Sequence, residues 1–164
     1  MTLVVEEIEV GVLLRRVEPV TQWGEPSWLG EAVLDDGSVL PGWRRLRTEP
    51  GGAELWSAGR AVVRLHSTDT PNYLHNLTTP PDAGGPRVFL VLRRGEERPS
   101  LDLATVDPGE AHHFADTGFD QLESVGMPPL LRARLEAFVS AHHVERPFHK
   151  RRRNRAGAAG DEDA

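Results

Sequence analysis

Two histidine pairs, His112-His113 and His142-His143, are the residues in this 164-residue chain whose types and spacing come nearest to a metal centre. Four imidazoles, or three with Glu110 or Glu145, have the borderline donor character that zinc accepts. Adjacent helical positions point about 100° apart, so each pair would send only one ring toward a common ion. No His-Glu-x-x-His or similar ligand spacing accompanies them, and ordinary surface or partly buried histidines are the favoured reading, with no metal expected. The chain has no cysteine, which removes thiol catalysis, disulfides, iron–sulfur ligation and thiolate zinc sites. His66, Ser67 and Asp69 carry the residue types of a hydrolytic triad. No Gly-x-Ser-x-Gly elbow presents the serine, however, and the stretch reads as a strand end with Ser/Thr and Asx turns. Neither "PGGAE" nor "DAGGPR" has the glycine spacing of a phosphate loop. No catalytic residue is assigned, and binding is favoured over an enzymatic role.

Binding chemistry is better represented. Trp23, Trp28, Trp43, Trp56 and Tyr73 offer large contact areas with polar handles. Core packing accounts for most of them, while Trp23, in "TQWGEPSW", is the best candidate for exposure; Trp23, Trp28 and Tyr73 are taken as partner-binding candidates. Residues 1–145 hold 13 basic and 22 acidic side chains, whereas residues 146–155 hold six basic ones and no acid. An acidic body repels a phosphate backbone, so no nucleic-acid partner is expected; a short basic segment suits docking on an acidic surface. His143, Glu145, Pro147, Phe148, Lys150, Arg151, Arg152 and Arg153 form that docking candidate, with Phe148 as its apolar anchor. The competing reading is that Phe148 closes the core and the charges maintain solubility.

Several kinds of element must position these groups. "LVVEEIEVGVLLRRVEP" reads as a strand with a bulge or bend at Gly11. Around Asp35-Asp36-Gly37 two apolar runs suggest a hairpin in which glycine supplies a positive φ, and "AELWS" and "AVVRLHS" suggest another turning near Ala58-Gly59. "NYLHNLT" and "RVFLVLRR" are further strand candidates, giving five to seven strands in all. After Leu103 the pattern changes. Asp107, Pro108 and Glu110 have the spacing of an N-cap, first helical residue and capping-box partner, with Gly118 as the stop. Leu131, Leu135, Phe138, Val139 and His142 share one face of a second helix starting near Pro128 or Pro129. The expected fold is α+β: a mainly antiparallel, curved sheet with two C-terminal helices. Residues 1–150 are expected as a single domain and 151–164 as a disordered charged tail. With no long apolar run and no signal-peptide pattern, the reading is a cytoplasmic protein with no membrane partner.

The ordered set "VGVLLRR", "QWGEPSWLGEAVL", "YLHNL", "VFLVLRR", "EAHHFADTG", "VGMPP" and "FVSAHHVERPFHKRRR" resembles the bacterial domain of unknown function family 3305. Members are commonly encoded beside molybdenum-dependent formate dehydrogenases and are sometimes labelled molybdopterin-guanine dinucleotide biosynthesis protein A. The resemblance implies an accessory or assembly factor for such a dehydrogenase, acting by protein binding on one of its subunits or maturation factors. The alternative it implies is a carrier of the molybdopterin guanine dinucleotide cofactor. A guanylyltransferase of the labelled kind opens with a Gly-rich loop bearing Arg and Lys, and "EVGVLLRR" does not supply one.

Overall fold

The computed structural model describes residues 2–115 and 120–145. Its framework begins with β1 (Val5–Val17), in which Ile8, Val10, Val12 and Leu14 point into the core while Glu7 and Glu9 lie on the outer face. That alternation is what a half-buried strand requires. β1 pairs antiparallel with β2 (Ser27–Leu34) on one side and with β4 (Glu54–His66) on the other. β3 (Arg44–Thr48) adds to the first half of β4, giving the order β2-β1-β4-β3. A second antiparallel sheet has the order β6 (Ser100–Thr105), β5 (Arg87–Arg93), β7 (Asp120–Gly126).

The two sheets enclose one apolar cluster. Val10, Leu14, Val63 and Leu65 come from the first and Val88, Leu90 and Leu92 from the second. Helix α3 (Pro129–His142) contributes Leu131, Leu135, Phe138 and Val139, the face expected from their spacing. β2 lies alongside β7 and β4 alongside β6, but neither pair forms a backbone ladder among the described residues. Side chains close the β2–β7 seam: the Glu123 carboxylate accepts from Gly30 N–H at 2.8 Å, and the Gln121 amide donates to the Trp28 carbonyl at 2.6 Å.

The α+β class and the antiparallel pairing agree with the sequence reading, but several elements differ. The segment containing "NYLHNLT" is not a strand. Residues Thr70–Leu77 form helix α1, entered through Pro71, which burial of Thr70, Tyr73 and Asn76 at three-residue spacing stabilises. With α2 (Pro108–Phe114) and α3 this makes three α-helices among the described residues, not two. The Asp107 carboxylate caps α2 as expected, accepting from Gly109 and Glu110 N–H, whereas the proposed stop at Gly118 lies outside the described residues.

Two expected hairpins are absent. Ala58-Gly59 is not a chain reversal; the register moves from Val12 opposite Gly59 to Leu13 opposite Ser57, leaving Ala58 as the extra residue of a bulge. Gly59 accommodates it with φ +81°, the left-handed region that glycine enters without steric penalty. The run after Gly37 does not pair back on β2, and residues Gly37–Val39 form a single 3-10 turn. Gly37 needs no positive φ. It is small because a Cβ there would lie 2.6 Å from the Val10 carbonyl oxygen. Gly11 lies within β1, whose pairing shifts register against β4 between Val12 and Leu13 and against β2 between Leu13 and Leu14, and a Cβ at Gly11 would meet Leu40 Cδ1 at 2.6 Å. The described residues contain no helix long and apolar enough to cross a membrane.

Candidate functional site

Two places on this framework gather the chemically distinctive residues. The first is a polar junction at the end of β4. There His66 leads through the 3-10 turn Ser67–Asp69 into α1, and α1 packs against both α2 and α3. Tyr73 turns inward from α1, its ring edge-on to Phe138, and its hydroxyl accepts the His66 N–H at 2.8 Å. Burial pushes the phenol up to about 12. Asn76, one turn later, donates to the carbonyls of Arg87 and Val106 and accepts from Arg87 N–H. One buried amide thereby joins the start of β5 to the end of β6. Asn72 donates to Asp107, whose other oxygen caps α2.

Carboxylates crowd this junction. Burial, followed by the negative charge of Asp107, raises Glu110 above the ordinary carboxylate range; Asp69 acts in the same direction, while His66 and a hydrogen bond with Thr105 oppose it. His143 closes the assembly from the end of α3, its Nδ1 lying 3.0 Å from Thr70 Oγ1. The histidine pairs do not combine. His112 Nδ1 lies 2.7 Å from the Pro108 carbonyl, His142 packs on Phe138, and no three His, Asp or Glu side chains among the described residues are placed to share a metal ion. The Ser67 hydroxyl accepts from Val4 N–H.

The second place is the tip of the β1–β2 hairpin, at the far end of β1. Val20 and Trp23 are 104% and 87% exposed there, while the loop beneath them is held in shape. Gly24 N–H closes a turn on the Thr21 carbonyl, a Cβ at Gly24 would meet Pro19 at 2.7 Å, and Glu25 pairs with Arg94 from beyond β5. Of the other expected partner contacts, Trp28 is half-buried and packs edge-on against Trp43 and Trp56. Tyr73 is buried and presents no surface. His143 is half-buried and Glu145 exposed; Pro147, Phe148, Lys150, Arg151, Arg152 and Arg153 lie outside the described residues.

The arginines of the two "LRR" segments bear on phosphate binding. Arg15 is bridged by Glu31 and Glu49, Arg16 by Glu18 and Glu54, Arg93 by Asp102 and Asp120, and Arg94 by Glu25. Glu49 is held below the usual carboxylate range chiefly by its hydrogen bond from Arg15, and Glu54 chiefly by that from Arg45. A cofactor pyrophosphate at these four arginines would have to displace their carboxylates.

A family model described as Protein of unknown function (DUF3305) matches residues 9–152. The chain belongs to that family. No curated protein and no solved structure matches it. The range matched by the DUF3305 model takes in the hairpin tip, the polar junction and the chain as far as Arg152. Sequence reasoning missed His66, Asn72, Asn76 and Asp69 as a unit. The spacing of Thr70, Tyr73 and Asn76, read as helical, is the signal that would have found part of it.

Proposed function

We propose that this chain is a non-catalytic accessory factor that docks on a partner protein, and that its client is a subunit or maturation factor of a molybdenum-dependent formate dehydrogenase. The contact between His143 and Thr70 carries the docking part of this reading. It ties the end of α3 to the buried junction, and in sequence the basic stretch 146–155 begins three residues after His143. Anchoring one end of a charged segment limits the ordering entropy that docking must offset. The client is named by the family resemblance in "EAHHFADTG" and "FVSAHHVERPFHKRRR", and the interface chemistry by Phe148 within a basic run.

The test is affinity purification of the tagged full chain from its native host grown with formate and molybdate. It is compared with a variant carrying Phe148→Ala and Arg151, Arg152 and Arg153 each changed to Ala. Stoichiometric recovery of a dehydrogenase subunit with the first and at least tenfold less with the second is expected, with equal thermal stability. Absence of any dehydrogenase component from the wild-type sample would overturn the client assignment.

A further inference from the structure

We infer that the open seam between β4 and β6 takes an extended segment of a partner protein, laddered antiparallel on the free edge of β4, with an acidic residue near the segment's C-terminal end. This goes beyond the docking of the C-terminal basic segment and does not rest on it. β3 covers β4 only from Glu54 to Ser57, and no strand among the described residues bonds to the same edge from Arg60 to Arg64. Ser67 N–H bonds to Val4, on the β1 side, whereas His66 N–H turns the other way, onto the Tyr73 hydroxyl at 2.8 Å. Main-chain directions alternate along an antiparallel ladder, so the N–H and C=O groups of Arg64 and Val62 also point away from β1, into the seam. On β6 the Val106 carbonyl turns out to Asn76 at 2.8 Å, and by the same alternation the main-chain groups of Ala104 face β4.

Three observations define the occupant. Tyr73 and Asn76 of α1 take up the main-chain groups at one end of the seam, and beyond them a groove of about 400 Å³ lies between residues 58–64 and 100–104, with Trp43 in its lining. Main-chain donors and acceptors left open at the repeat of a strand are the complement of another extended main chain. Alternate side chains of that segment turn inward over Ala58, Ala61 and Ala104, which leave room for apolar groups. Finally, Arg60, Arg64 and Asp102 are already paired with Glu9, Glu7 and Arg93, but Arg44 and Arg98 have no carboxylate partner among the described residues. Arg98 lies 5.1 Å over the Trp43 ring, and Arg44 opens β3 opposite Ser57. A segment antiparallel to β4, in line with β3, brings its C-terminal end toward these two unpaired cations, where a carboxylate is the complementary group. β6 comes within 8 Å of β4, less than the two strand spacings of about 4.8 Å each that an inserted strand needs, so entry spreads the seam. No hydrogen bond between β4 and β6 resists that, in contrast to the Glu123 and Gln121 bonds that close the β2–β7 seam. The chain's own Asp161, Glu162 and Asp163 are acidic, but alanine and glycine, with little tendency to form strands, precede them, which favours a partner's segment.

The experiment selects random dodecapeptides displayed on phage against the immobilised full chain, and one selected peptide is synthesised for calorimetry and amide exchange. Before peptide is added, the Val62 and Arg64 amides should exchange at least tenfold faster than those of Val63 and Leu65, which ladder with β1. The bound peptide should carry apolar residues at every second position and Asp or Glu near its C-terminal end, and it should slow exchange at Val62 and Arg64. Val62→Pro removes an N–H that faces the seam and none that faces β1, while Arg44→Glu with Arg98→Glu reverses the two unpaired charges. Each variant should weaken binding about tenfold, with circular dichroism melting still showing a folded chain. Lys in place of the peptide's acid should restore binding to the charge-reversed chain. Failure to select any peptide, binding indifferent to both variants, or protection confined to amides away from Val62 and Arg64 would each overturn the seam as a docking site. Slow exchange at Val62 and Arg64 in the full chain without peptide would overturn it as well, and would point to the chain's own residues 156–164 as the occupant.

Discussion

The Asp35 carboxylate caps a helix that begins almost a hundred residues later: Oδ1 accepts from Leu131 N–H at 2.8 Å and Oδ2 from Leu130 N–H at 3.0 Å. Pro128 and Pro129 open α3 without a side-chain cap of their own, so a residue from the end of β2 satisfies the first free amides. Asp35→Ala should cost about 1 kcal/mol, lowering the melting temperature by about 3 °C in calorimetry. Asp35→Asn, which retains one acceptor oxygen, should recover part of it. Equal stability of wild type and Asp35→Ala would show that water caps α3 equally well.

Glycine size is tested where backbone meets backbone. At Gly37 an added Cβ would lie 2.6 Å from the Val10 carbonyl oxygen and 2.7 Å from its carbon, neither of which can move without distorting β1. At Gly11 the nearest atom is Leu40 Cδ1, the end of a flexible side chain. Gly37→Ala should therefore cost about 3 kcal/mol and Gly11→Ala about 1 kcal/mol. Urea titration of both variants measures the difference; a larger loss at Gly11 would contradict this account of the crossing.

Asn76 should be among the most sensitive polar positions. Its amide serves three backbone groups at 2.8 to 2.9 Å in an interior where it is 2% exposed. Asn76→Ala leaves those groups unpaired and should cost about 3 kcal/mol. Asn76→Asp keeps an acceptor for Arg87 N–H but loses both donations and adds buried charge, so it should fare no better at neutral pH. Amide exchange at Arg87 should rise in both variants, and unchanged protection there would remove the clamp from the argument.

Local pattern made legible those elements whose pattern is set locally. The alternation of Ile8, Val10, Val12 and Leu14 announces β1, and the Asp107-Pro108-Glu110 spacing announces the start of α2. α1 was obscured because eight residues with Tyr and Leu suit a short strand, and only tertiary burial of Tyr73 and Asn76 selects the helix. β6 and β7 escaped because each is an edge strand with many half-exposed positions, where polar residues are tolerated on both faces. The junction escaped for a related reason: His66, Asn76, Asp107 and His143 are distant in sequence and meet only after the helices pack. Trp23 was readable because its loop is bounded by Pro19 and Pro26 and lacks the periodicity of a buried face.

Glu110 turns the junction into a measurable pH dependence. Its carboxyl is raised first by burial and next by Asp107, so the folded chain holds the Glu110 proton more tightly than the unfolded chain does. Below the unfolded carboxylate value, about 4.3, both states are protonated and this group's favourable contribution is fully present. As pH rises through the raised folded value the group ionises against Asp107 and Asp69, and that contribution is lost. Glu110→Gln keeps the shape and remains neutral. The variant should therefore melt above the wild type at pH 7, with the gap shrinking as pH falls through 5 toward 4. Removal of the charge on Asp107 by Asp107→Asn should flatten the Glu110 dependence, at the expense of a weaker α2 cap. Calorimetric scans of the three chains between pH 4 and 8 supply the comparison. A gap between Glu110→Gln and wild type that widened on acidification would mean that the ionised carboxylate is the favoured form and that His66 and Thr105 outweigh burial.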